Sequence, residues 1–187
     1  MDHVSLMRRA KSQLADGWIM AVIATLIFGV ITGVADNLVF GIIIQGPMMV
    51  GYVYYIMYQA DHKKQDFNLL FKGFNNFTNT LVSGLLYTLA VGIGTAILIV
   101  PGIIVACGFS QTFFIQAENP SISGVDALKM SWNMMNGKKW DYFCLQLRFI
   151  GWMLLCILTC GIGFLWLTPY MTTTNLNYYR QIRYGSY

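Results

Sequence analysis

The sequence predicts an all-α fold: a polytopic membrane protein with about six transmembrane helices and two short amphipathic helices on the cytoplasmic side. Three observations carry this reading. Of 187 residues, 56% are hydrophobic and only 11% charged, where soluble domains carry roughly a quarter charged residues. Apolar runs recur along the chain at about the twenty-residue length a helix needs to cross hydrocarbon. Threading those runs back and forth places all twelve lysines and arginines on one side of the bilayer. That positive-inside pattern predicts both termini in the cytoplasm.

The first run, 17–35, would span about 28 Å as a helix, close to the hydrocarbon thickness. It starts too deep in the chain, and runs too long, for an ordinary secretory signal. Asp36 and Asn37 supply an outer turn, and 38–60 returns the chain, with Pro47 expected to bend that helix. The stretch 80–117 is too long for one perpendicular crossing and suits a hairpin, 80–98 and 101–117. Its turn is expected near Leu98 to Gly102, because Pro101 suits the first turn of a helix; a turn at Gly92 to Thr95 is the rival. A fifth span is expected over 142–167 and a sixth, opened by Pro169, over 169–183.

Two polar gaps also carry helical spacing. Phe67, Leu70, Phe71 and Phe74 recur in the first, and Val125, Leu128, Trp132 and Met135 in the second. Either set would lie in the headgroup plane or pack on the inner ends of the bundle. Asn119, Pro120, Ser121 and Ser123 offer turn and capping chemistry ahead of the second. GPMMVGYVYYIMYQA followed by DFNLLFKG echoes PGIIVACGFSQTFFIQA followed by VDALKMSWNMMNG. This suggests a parallel repeat of 46–100 and 101–168, an arrangement some transporters use.

LADGW, GPMMVG, FNLLFKGF, IVPGII, NPSISGVDALKMS, MMNGKKWDYF and TPYMTTTNLNYY, in that order, resemble the bacterial integral-membrane family catalogued as domain of unknown function 975. The resemblance runs along nearly the whole chain. It implies a multi-pass protein of the bacterial cytoplasmic membrane and carries no catalytic residues.

Chemistry inside apolar segments marks the candidate sites. Arg148 is the strongest anomaly, since a guanidinium at mid-bilayer costs at least about 2.5–3.5 kcal/mol on insertion scales. It would snorkel to inner phosphates, pair with Asp141 seven residues earlier, or serve as a substrate-binding cation. Gln45, Gln111, Asn175 and Asn177 are candidates for a polar bundle interior or a ligand path. Thr172, Thr173 and Thr174 can satisfy themselves on their own helix, which asparagine does less easily. Gly29 and Gly33 form a G-x-x-x-G spacing that suits close approach of another helix. Trp18, Tyr58, Trp132 and Trp140 are placed at the inner interface, and Trp166 at the outer one.

No metal, nucleotide or cofactor motif stands out. His3 and His62 are isolated, no G-x-S-x-G elbow occurs, and the four cysteines form no Cys-x-x-Cys pair. No enzyme activity is therefore expected. The formal charge of +4 gathers beside membrane segments rather than in a basic domain, so nucleic acid is not expected as a partner. The expected role is a noncatalytic accessory or organising component that binds membrane lipids, an integral membrane-protein partner or further copies of itself. A small transporter, or the membrane subunit of one, is the alternative.

Overall fold

A computed structural model describes residues 3–15, 17–37, 41–62, 66–97, 99–159 and 161–185. Asp16, Lys63, Lys64, Leu98, Cys160 and the start of the second expected span, 38–40, lie outside the described residues. Within them the secondary structure is helical: α1 (His3–Leu14), α2 (Trp18–Asn37), α3 (Gly41–His62), a 3-10 segment (Phe67–Asn76), α4 (Phe77–Ile97), α5 (Ile99–Phe109), α6 (Thr112–Glu118), α7 (Gly124–Met134), α8 (Lys139–Leu158) and α9 (Phe164–Tyr184).

The number of crossings is the main correction. Among the described residues three helices, not six, are long and apolar enough to span a membrane: Phe67–Ala96, Ile99–Glu118 and Lys139–Leu158. A fourth arises only if His3–Leu14 and Trp18–Val34, bent by 95°, count as one. Chain length between turns overstated the count, because a helix enclosed by protein needs no continuous apolar surface. α3 carries Gln45, Gln59, Pro47 and four tyrosines, and it buries Met48, Val50, Tyr52, Val53, Tyr55, Ile56 and Gln59 against its neighbours. α9 buries Thr172, Thr173, Thr174 and Asn177 beside Tyr178 and Tyr179. Both stretches are helical, yet their faces are built for protein contact.

Glycines set the closest contacts. A Cβ on Gly51 would stand 1.8 Å from the Leu70 carbonyl oxygen, and one on Gly73 would stand 1.9 Å from that of Pro47. The 3-10 segment is therefore packed main chain to main chain on α3. Asp66 starts it, accepting a hydrogen bond from the Asn68 amide at 3.0 Å. α3 meets α4 in the same manner, where a Cβ on Gly84 would lie 2.7 Å from the Gly46 Cα. The second amphipathic segment, α7, is capped by Ser123, whose hydroxyl accepts from the Asp126 amide at 3.1 Å. It docks through Ser131, which donates to the Gly108 carbonyl at 2.8 Å. Both polar gaps thus pack on the bundle.

α4 ends at Ile97 and α5 opens at Ile99, with Pro101 in the first turn of α5, while Gly92 to Thr95 stay helical. The long fifth segment divides: α8 stops at Leu158, Gly161 takes a positive φ of 86° that favours glycine, and α9 opens at Phe164, five residues before Pro169. α1 is amphipathic, burying His3, Leu6, Ala10 and Leu14 and exposing Arg8, Arg9 and Lys11. Two cores result. One surrounds α3 through Tyr52, Tyr55, Ile56, Leu70, Ile115 and Tyr179. The other joins α1, α8 and α9 through Leu6, Tyr142, Leu145, Phe149 and Tyr178.

Candidate functional site

The five polar residues singled out by the sequence are not brought together. Gln45 is exposed on α3. Gln111, fully buried, bonds Ser110 at 2.8 Å where α5 gives way to α6, and its Oε1 is buried with no hydrogen-bond partner among the described residues. Asn175 accepts from Gln146 of α8 at 2.8 Å. Asn177 faces the other way and donates to Gln13 of α1 at 2.9 Å. Thr172, Thr173 and Thr174 each donate to the carbonyl four residues back, so their hydroxyls cost the packing little.

Arg148 is exposed on α8 and is not paired with Asp141. That carboxylate is engaged by His3, whose Nε2 lies 2.9 Å from its Oδ1. Gly29 and Gly33 face open space among the described residues, with nothing within 4 Å of an added Cβ.

Other polar groups carry the end of the bundle where α3, α6 and α9 close. Glu118, closing α6, accepts the Tyr179 hydroxyl at 2.5 Å, pairs with Arg183 at 2.9 Å and also accepts from Tyr184. Arg180 pairs with Asp61 of α3 at 2.6 Å. Burial, with the Glu118 hydrogen bond and charge behind it, pushes the Tyr179 hydroxyl well above the usual tyrosine range. Deeper in, Ser83 donates to Gln116 at 2.7 Å, and Gln116 donates to the Asn79 carbonyl at 3.1 Å. These groups fasten neighbouring helices to one another.

A large opening elsewhere is apolar. α8 and α9 run antiparallel, meeting at Tyr142 with Tyr178, Gln146 with Asn175, and Phe149 with Tyr170. Where α8 ends and α9 begins they touch, since a Cβ on Gly163 would lie 2.7 Å from the Cys156 sulfur. Between them and the α1–α2 junction is a groove of about 470 Å³, a volume in the range of small-ligand sites. α8 lines it with Trp152, Leu155, Cys156 and Thr159, and α9 with Gly163, Trp166, Leu167 and Tyr170. Trp18 and Lys11 complete it at the Tyr170 end, where the Trp18 and Tyr170 rings stand 6.3 Å apart. From Gly163 to Tyr170 is about 10 Å of helix. Trp152, Leu155 and Trp166 are each at least half exposed, so the protein supplies the walls and leaves the space between them unfilled. Trp18 and Trp166, expected at opposite interfaces, line this one groove.

Residues 93–186, half of the chain, match the family described as Protein of unknown function (DUF975). The chain belongs to that family. The DUF975 match holds all of α5 to α9, and with α8 and α9 both long walls of the groove; Lys11 and Trp18 lie outside it. Nothing matches the chain among curated proteins or among solved structures.

The groove was not anticipated, because it joins residues from the two ends of the sequence. One signal was present: Trp152, Leu155, Cys156 and Thr159 recur at spacings that put them on one face of a helix.

Proposed function

We propose that this membrane protein is a noncatalytic accessory or organising component of the bacterial cytoplasmic membrane, with both termini in the cytoplasm, and that it works by holding a lipid chain in the groove between α8 and α9. The single observation behind this reading is the groove itself. Three indoles, one phenol ring and two leucines line a slot about 10 Å long on a surface that faces hydrocarbon. The polar side chains offered by the sequence, Asn175 and Asn177 above all, are engaged with neighbouring helices instead. A flexible chain in such a slot gains dispersion contacts on several sides, where open bilayer offers only other mobile chains.

Native mass spectrometry after release from mild detergent tests this. The expected result is a lipid retained by the wild type and lost from Leu155→Trp, which fills the groove from an exposed position and leaves the melting temperature unchanged. A lipid-free wild type, or equal retention by the filled variant, would overturn the reading.

A further inference from the structure

We infer that the occupant of the groove is an anionic glycerophospholipid of the cytoplasmic leaflet, with one acyl chain between Trp152 and Trp166 and its phosphate between Lys11 and Arg148. This rests on the groove reading above and adds the headgroup.

Helical spacing makes the first link. Arg148, Trp152, Leu155 and Thr159 follow one another at four, three and four residues, so they share one face of α8. The last three line the groove, which makes Arg148 the next residue of that stripe toward the start of the helix. The register of the α8–α9 pair gives its depth. Gln146 meets Asn175 and Phe149 meets Tyr170, which puts Arg148 level with the stretch of α9 between those two residues. Tyr170 is the lining residue of α9 farthest from the outer turn, and Lys11 lines the same groove. Lys11 lies two positions before Gln13, which bonds Asn177 of α9 beyond Tyr170, so both cations belong to the end of the slot away from the α8–α9 turn.

Among the described residues neither cation has a carboxylate partner. Among the described residues the carboxylates near the inner end are engaged elsewhere: Asp141 by His3, Asp61 by Arg180 and Glu118 by Arg183. Most of the exposed apolar surface of α8 lies beyond Arg148, from Ile150 through Trp152 and Leu154 to Leu158, while Trp140 is exposed at the start of the helix. A long guanidinium side chain there can extend along the helix toward a phosphate. A guanidinium presents a planar fork to phosphate oxygens and an ammonium a point charge, so the pair suits a phosphodiester whose chain continues into the slot. A headgroup carrying its own quaternary ammonium would add a third positive charge to the site, which favours a lipid of net negative charge.

The test is a titration of the delipidated, detergent-solubilised protein with phosphatidylglycerol or phosphatidylcholine brominated on the acyl chains, read by tryptophan quenching. Phosphatidylglycerol is expected to bind about tenfold more tightly, from two cations near a charged surface. Lys11→Gln and Arg148→Gln should each remove about threefold of that preference, the double variant should abolish it, and Lys11→Arg should keep it. Melting temperatures should stay unchanged, and quenching at saturation should persist in every variant. Equal binding of both lipids overturns the headgroup assignment and leaves the groove reading intact. Preference retained by the double variant also overturns it, because the phosphate would then sit elsewhere. Absence of quenching by either lipid overturns both readings. Displacement of the lipid by millimolar glycerol phosphate, the headgroup without its chains, overturns the commitment to a lipid.

Discussion

The guanidinium of Arg183 lies 2.9 Å from the carboxylate of Glu118, and through that pair the end of α9 is tied to the end of α6. The same guanidinium donates to the Tyr179 hydroxyl at 2.7 Å, so one cation supports both the carboxylate and a phenol bonded to it. Glu118→Gln should lower stability by about 1–3 kcal/mol, because a charged acceptor is lost while its donors stay largely shielded. Thermal unfolding in detergent would measure this, and an unchanged midpoint would mean that the cluster is incidental.

The same cluster sets a pH dependence. The Tyr179 hydroxyl is held above its ordinary value of 10.0 by burial first and by Glu118 second, and Tyr184 is raised by its hydrogen bond to Glu118. A phenol whose value is raised on folding favours the native state while protonated. The contribution is therefore complete below about pH 10 and is lost as pH rises beyond it. The melting temperature should fall more steeply above pH 10 in the wild type than in Tyr179→Phe with Tyr184→Phe.

Glycine substitutions should separate into two classes. Gly51→Ala and Gly73→Ala drive a methyl group into a backbone carbonyl, and overpacking of this kind costs about 1–3 kcal/mol or more. Gly29→Ala and Gly33→Ala meet nothing and should raise helix stability by up to about 1 kcal/mol. Melting temperatures of the four variants are the measurement. A loss at Gly29 or Gly33 would indicate that a second helix covers that face.

His3 fastens the free end of α1 to the first turn of α8. His3→Ala should accelerate amide exchange in α1 roughly fivefold while α3 is unaffected, the signature of a local opening that has lost one hydrogen bond. Uniform acceleration across the chain would instead make α1 part of the global fold.

Orientation can be read with thiol chemistry. In a cysteine-free background, Ser12→Cys, Lys72→Cys and Lys129→Cys occupy exposed positions. All three should react with a membrane-impermeant maleimide from the cytoplasmic side only. Labelling of Lys72→Cys and Lys129→Cys from opposite sides would refute the shared inner face.

Much of the helix pattern was legible from residues with local consequences. Ser123 caps α7, Pro101 sits in the first turn of α5, and the threonines of α9 bond their own backbone, each dictated within a few positions. The number of crossings was not legible, because α3 and α9 owe their environment to neighbours far away in sequence: Tyr52 meets Thr25 of α2 at 2.9 Å, and Gln59 donates to the Gly17 carbonyl at 3.0 Å. α1 was hidden because Arg8, Arg9 and Lys11 look like a loop until Leu6, Ala10 and Leu14 are set on one face. The candidate site suffered in the same way. Gln111, Asn175 and Asn177 are polar residues in apolar surroundings, which signals a partner but not which one, and each found it in a different place. Arg148 stands out locally as a cation in an apolar segment, yet no local pattern links it to Lys11, 137 positions away.

The glycine contacts between α3, the 3-10 segment and α4 have a mechanical consequence. Where two main chains touch, no side chain can rotate aside, so that half of the molecule yields little to an applied load. α8 meets α9 through rings and side chains, and Gly151 at its middle has nothing within 4 Å of an added Cβ. Compliance is concentrated there, and the wall that carries Arg148 and Trp152 is the one able to tilt around occupants of different girth.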